Sequence, residues 1–226
     1  MDVLSIIISL FVLLFAITIH EASHGWAALK RGDPTAYRMG RVSLNPIAHI
    51  DPIGTVLLPL VLVLIGAPAF GWAKPVMVDP RNLRNPRQDN LWISLAGPAA
   101  NLLAAAVSMV VMMILKFASP SITPFLRSFL INHQNFPRGF YPLEGLSLIL
   151  FYAILINTYL AIFNLIPVPP LDGSGVLEGL ISEQAARKYE RLRPYGFFIV
   201  LILIYLGVLD LITRPVQLLI FTMIFF

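Results

Sequence analysis

Apolar positions in this chain come in long unbroken runs, not in the alternation of a half-buried sheet. Val3–Ile19, Leu91–Leu115, Leu143–Ile166 and Pro194–Thr213 are each long enough, or nearly so, to cross the roughly 30 Å hydrocarbon core of a bilayer as a helix. The first run continues to Lys30, where Lys30-Arg31-Gly32 marks a helix end at the water surface. Ile53–Ala69 is apolar but short, with Pro59 inside it and Gly66 and Pro68 near its end, so it is expected to dip into the membrane and return. Tyr37–Pro46 and Gly71–Val78 read as short strand-like segments, the first closed by Asn45-Pro46. Ile122–Ile131 reads as a short interfacial helix. Leu211–Phe226, interrupted by Arg214-Pro215, reads as a short helix against the membrane. The expected fold class is an all-α polytopic membrane protein with short re-entrant and strand-like segments, forming one integral membrane domain over residues 1–226.

Composition narrows the class. Hydrophobic residues make up 58% of the 226 and charged residues 12%, about half the share of an ordinary soluble domain. The bilayer is therefore the first partner, and no stretch is long enough for a large domain outside it. There are no cysteines, so disulfides and thiolate metal sites are excluded and any metal must use nitrogen and oxygen ligands. The net charge of +4 is not a nucleic-acid signal, and no nucleic-acid partner is expected. Its information is topological. If Ile53–Ala69 spans fully, the 16 Lys and Arg divide evenly between the two sides. If it returns, only Lys116, Arg127, Arg138 and Arg214 lie opposite the other twelve. The bias of basic residues toward the cytoplasm favours the second arrangement. It puts the end of the first helix and Asp172 on the same, cytoplasmic side of the cell membrane.

Candidate chemistry sits inside the first run, in His20-Glu21-Ala22-Ser23-His24. Histidines four apart share one face of a helix and can hold one Zn²⁺, with Glu21 placed to take a proton from metal-bound water. At 1.5 Å per residue, His24 and His20 lie roughly 9 and 15 Å below the helix end at Lys30. Ionisable residues at that depth are costly and mark function by default. The plainer alternative is a polar helix end at the interface. His49 and Asp51 are ligand types, with polar structure in the turn before Pro52 as the other reading. Asn101, in Ala96-Gly97-Pro98-Ala99-Ala100-Asn101, is an amide that must face the bundle, either as a packing hydrogen bond or in catalysis. His133 lies in a loop without a ligand partner at suitable spacing. After Asn164 the chain reads Leu-Ile-Pro-Val-Pro-Pro-Leu-Asp172-Gly-Ser-Gly, which cannot continue a helix. Such backbone at membrane depth must be buried in protein or line a wet cavity. Pro-Pro-Leu-Asp-Gly is also an ordinary surface turn, in which Asp172 merely caps the next helix.

His20-Glu21-x-x-His24 in the first span, with Asn164 and Pro-Leu-Asp172-Gly173 after a later one, resembles the site-2 proteases, the intramembrane zinc metalloproteases. Gly40–Pro46, Gly71–Val76 and Ala96–Asn101 are similar to the compact bacterial branch, which lacks PDZ or CBS domains. The likeness covers roughly residues 10 to 180. It implies a three-helix catalytic core within about residues 3–181, followed by a further C-terminal span. It implies one Zn²⁺ per chain on His20, His24 and Asp172, with Glu21 catalytic and Asn164 holding the substrate or its oxyanion. The implied activity is hydrolysis of peptide bonds in or near transmembrane segments, with membrane proteins that have a transmembrane segment as substrates. A non-proteolytic binding relative and a membrane metal transporter are the competing classes. The first would lose a ligand or Glu21, and the second would show repeats and midplane ligands on several helices.

Overall fold

The computed structural model describes residues 3–57, 61, 73–131 and 142–226. Among these, four helices are long and apolar enough to cross a membrane: α1 (Val3–Arg31), α3 (Pro86–Ala118), α5 (Pro142–Asn164) and α9 (Val208–Phe225). At 29 residues α1 is about 43 Å long and reaches past the hydrocarbon. Its last turn carries Lys30 and Arg31, where cations complement the helix dipole, and these lie over Trp26 and Trp92 at 5.7 and 5.4 Å. Tryptophan and basic residues together mark the level of the headgroups. α3 opens with Pro86 in its first turn, where a missing N–H costs nothing, and the Asp89 carboxylate accepts from Asn85 N–H at 2.8 Å.

α1 and α3 are antiparallel neighbours. Arg31 pairs with Asp89 at 3.3 Å at one end, His24 meets Ile93 a turn deeper, and Asn101 reaches Ala16 below that. Numbers fall along α1 as they rise along α3, so the chain between them leaves and returns at the same end. Most of Ile53–Ala69 lies outside the described residues. Its described flanks share one end of the helix pair, where the Lys74 N–H bonds His49 O at 2.9 Å. α5 runs back along α3: Asn157 touches Asn101, while Leu148, Phe151 and Ile154 pack with Met112. That far end is an apolar core completed by Phe125 and Leu126 of α4 (Ile122–Leu126) and by Ile220 and Ile224 of α9. Polar side chains gather at the other end.

Three expectations change. No strand forms over Tyr37–Pro46. Asp33 accepts from the Thr35 N–H and starts a helical turn, α2 (Thr35–Arg38), and the Asn45 side chain accepts from Ile47 N–H to start another over Pro46–His49. Within the segment the N–H groups of Arg38, Met39, Gly40 and Arg41 close on the carbonyls of Pro34–Tyr37, and the Asn45 N–H goes to Ser43 Oγ, so these donors are spent locally and not in a ladder. Ala73–Val78 forms neither helix nor strand; its Lys74 N–H goes to His49 O at 2.9 Å. Residues 71–72 lie outside them. Finally, Pro194–Thr213 is not one span. After the short α7 (Glu183–Tyr189), α8 (Gly196–Tyr205) stops at Gly207, whose φ of +71° suits glycine, and the last long helix is α9.

After α5 the proline-rich segment turns the chain into α6 (Asp172–Leu180). Three glycines let this short helix lie close. A Cβ on Gly173 would strike the carbonyls of Leu165 and Ile166, one on Gly175 would strike Ser94, and one on Gly179 would lie about 2.5 Å from Leu91. Gly175 and Gly179 are one turn apart, so together they form the face that rests on α3. Arg87 Nε donates to Glu178 O at 2.8 Å and fixes the far end of α6.

Candidate active site

The two contacting faces of α1 and α3 are stripes of every fourth residue: Ala16, His20 and His24 on α1, and Ile93, Gly97 and Asn101 on α3. His20 and His24 are buried, their rings edge to face at 4.7 Å. Asp172, at the start of α6, completes the group: its Oδ2 lies 2.9 Å from His20 Nε2 and 3.3 Å from His24 Nε2. Ligand atoms of all three residues fall within 4.8 Å of one another. Residues separated by nearly 150 positions thus meet at one point, because α3 and α6 hold Asp172 against the face of α1.

Several observations test whether the group fits a metal. His24 Nδ1 lies 2.7 Å from the carbonyl oxygen of Ile93, which can only accept. The ring proton is therefore on Nδ1, and neutral His24 turns a bare lone pair on Nε2 toward Asp172. Asp172 Oδ2 is buried and accepts no hydrogen bond among the described residues. Unprotonated Nε2 atoms facing one carboxylate oxygen at 2.9 and 3.3 Å call for a cation between them. Tetrahedral zinc with nitrogen and oxygen bonds of about 2.0–2.2 Å separates its ligand atoms by about 3.3–3.5 Å, close to the spacing here. Gly97 supplies the room: a Cβ there would lie 2.7 Å from His20 Nε2 and closer still to His24 Nε2. The residues fit a zinc ion with three protein ligands and one open position.

Glu21 is partly buried on the adjoining side of α1, and its Oε2 accepts from the Val76 N–H at 3.3 Å. Val76 belongs to the Ala73–Val78 segment, which lies over α1 near Gly25 together with Val42. A buried clasp holds that segment. Asp33 accepts from Thr35 N–H and Oγ1, from Asn82 Nδ2 at 2.9 Å and from Asp79 N–H at 2.7 Å. Burial raises the pKa of Asp33, but these donated bonds outweigh it and hold the carboxyl below the usual carboxylate range. Asp79 just beyond is held down to about 2 by the Arg81 guanidinium.

Asn164 is not drawn into the ligand group. Its Nδ2 donates to Leu160 O, one turn back in α5, at 2.9 Å, and one further N–H remains. His49 is buried with Nε2 on Ser43 O at 2.9 Å, and Asp51 accepts from Ile53 and Gly54 N–H, so both shape the turn and neither joins the metal group. His133 lies outside the described residues. Asn101 is fully buried beside His20, and it also contacts Asn157. Asn157 and Asp33 were missed in the sequence. The signal for Asn157 is the one that singles out Asn101, an amide in the middle of an apolar span. Asp33 carries none, since Gly32-Asp33-Pro34 reads as any turn.

The profile of peptidase family M50 matches residues 8–207. A protein of Bacillus subtilis (strain 168) named "Putative zinc metalloprotease YwhC" is 33% identical over 192 residues, 84% of this chain and 77% of that protein. A protein of Mycolicibacterium smegmatis (strain ATCC 700084 / mc(2)155) named "Putative zinc metalloprotease Rip2" is 28% identical over 191 residues, 84% of this chain and 64% of that protein. No solved structure matches. Since the family match over residues 8–207 takes in the helix that carries both histidines and the turn that carries Asp172, the chain belongs to peptidase family M50, the site-2 proteases, and is a multi-pass membrane metalloprotease.

Proposed function

We propose that this protein is a zinc-dependent intramembrane endopeptidase that hydrolyses peptide bonds in or near the transmembrane segments of membrane proteins. The observation that carries the reading is the convergence of His20, His24 and Asp172 on one point inside a bundle of spanning helices. These three residues would hold one Zn²⁺. When bound, the ion would act as a Lewis acid and lower the pKa of a coordinated water toward about 7. Glu21 takes the proton from the attacking water and delivers it to the leaving amine nitrogen, so the peptide C–N bond breaks as a C–O bond forms. The Val76 N–H, bonded to Glu21, keeps that carboxylate on the side of α1 facing the Ala73–Val78 segment. Asn164 would turn its free N–H to the carbonyl oxygen that gains charge. A substrate helix must unwind to present its carbonyls. Pro75–Val78, which forms neither helix nor strand, offers it backbone to pair with.

The active site is proposed to open to the cytoplasmic side of the cell membrane. Lys30, Arg31, Arg87 and Arg193 lie at the end where α1 finishes, while Lys116 and Arg127 bond carbonyls at the C-terminal end of α9, beyond the apolar core. That distribution agrees with basic residues inside.

Metal content tests the ligand assignment. Purified wild-type protein is expected to hold about one zinc per chain, as a site with three protein ligands would, and His24→Ala and Asp172→Ala to lose it. Wild-type zinc content in both variants would overturn the assignment.

A further inference from the structure

We propose that Asn101 is the positioning residue of the metal site: its amide selects the tautomer and ring orientation of His20, and Asn157 holds that amide the right way round. This rests on the zinc reading of His20, His24 and Asp172.

The carbonyl oxygen of Ala16 can only accept, and the Asn101 amide lies 3.0 Å from it. The end of the amide facing Ala16 is therefore the NH₂. Its second N–H points at Asn157 Oδ1, 2.8 Å away. Both donors of Asn101 are now used, so its oxygen is the atom 2.6 Å from His20 Nδ1. An amide oxygen accepts, so His20 carries its proton on Nδ1 and leaves the Nε2 lone pair for the ion. Asn157 is anchored in turn, since its Nδ2 donates to Ala153 O in α5 at 2.9 Å. That leaves its oxygen to face Asn101. The relay runs from α5 through α3 to α1 without an unsatisfied member.

His24 achieves the same end through the Ile93 carbonyl, which cannot rotate away. His20 has a side chain there instead, one that must itself be oriented. Asn101 and Asn157 are both buried, at 0 and 4% exposure, in the middle of apolar spans. Amides there are costly unless fully bonded, and apolar residues would pack as well. Their use is accounted for by the ring they aim. Partners of this kind typically contribute 10- to 100-fold to metal affinity.

The test uses the full-length protein in detergent or nanodiscs and compares Asn101→Leu with Asn101→Asp. Leu keeps the volume and loses the acceptor. Asp keeps an acceptor for Nδ1–H but gives up both donors and places a carboxyl in the bundle. Zinc affinity by chelator competition should fall about 10- to 100-fold in Asn101→Leu and recover in Asn101→Asp. Metal-free thermal stability should rank the other way, Leu above Asp. Nitrogen-15 spectra of chelated wild-type protein should show the His20 proton on Nδ1, and a mixture of tautomers in Asn101→Leu. Asn157→Leu should weaken zinc less than Asn101→Leu does, because Ala16 still holds one donor. Wild-type zinc affinity in Asn101→Leu, or affinity that follows metal-free stability across the variants, would overturn the proposal. If neither variant at 101 folds, a chelated wild-type spectrum with the proton on Nε2 would overturn it. Loss of zinc from wild-type protein itself would instead count against the underlying metal reading.

Discussion

A single methyl group placed at Gly97 probes the geometry of the site from inside. In Gly97→Ala the new Cβ would stand 2.7 Å from His20 Nε2 and Cε1 and nearer still to His24 Nε2, well inside the ordinary contact range of 3.4–4 Å. Neither ring is a flexible chain end that can swing aside, because each is tied by Nδ1 to α3 itself, at 2.6 and 2.7 Å. The rings must move by several tenths of an ångström or α1 and α3 must part. Overpacking of this kind costs about 1–3 kcal/mol, or about 5- to 150-fold in a binding constant. The metal-free protein has an offset, since Ala is favoured over Gly within a helix by about 1 kcal/mol. The cost should therefore appear in metal binding more than in folding. At free zinc 100 times the wild-type Kd, the ion stabilises the protein by about 2.7 kcal/mol. A 10-fold weaker site reduces that to about 1.4, and a 100-fold weaker one to about 0.4 kcal/mol. The assay is thermal unfolding in detergent with zinc buffered at that level and again after chelation. The expected result is a metal-free midpoint close to wild type and a much smaller zinc-dependent rise. A full-sized zinc-dependent rise in Gly97→Ala would refute the packing of His20 and His24 against Gly97.

Arg38 and Arg84 are exposed on either side of the segment that contains Ile53–Ala69. In this cysteine-free chain, single cysteines at both should be labelled by an impermeant reagent from one side of the membrane and Ser121→Cys from the other; opposite labelling of 38 and 84 would require a full crossing between them. Asn164→Ala should lower turnover by about 10²–10³ while zinc content and stability hold, and Asn164→Asp should not restore it, because an ionised carboxylate cannot donate. Stability falling in step with activity would reduce Asn164 to its bond with Leu160 O.

The spans and the two histidines were legible because both depend on local rules. A long apolar run has few alternatives to a helix in a bilayer, and the spacing of His20 and His24 puts them on one face whatever surrounds them. The joining of Asp172 to that face was legible only through the family resemblance. Its geometric cause, glycines 173, 175 and 179 pressed against α5 and α3, is tertiary. The strand expected over Tyr37–Pro46 failed because Arg38–Arg41 spend their N–H groups on the carbonyls of a local helical turn and Asn45 spends its own on Ser43 Oγ, a competition that alternation does not register. The last span was misplaced because Gly207, not Arg214-Pro215, ends the preceding helix. The roles of the Ile93 carbonyl and the Val76 N–H leave no trace in the sequence, since any residue there would offer the same backbone atom.

The proposed activity requires Glu21 to carry a proton beside the metal site while peptide bonds are cut within the membrane. The most direct measurement is cleavage of a panel of single-span membrane proteins reconstituted in liposomes, comparing wild type with Glu21→Gln, with zinc measured in both. Glu21 is not among the ligand group, so the variant should keep its zinc. Cleavage near or within the span is expected from wild type and none from the zinc-loaded variant. Cleavage by Glu21→Gln at the wild-type rate would contradict the proton-carrying role of Glu21.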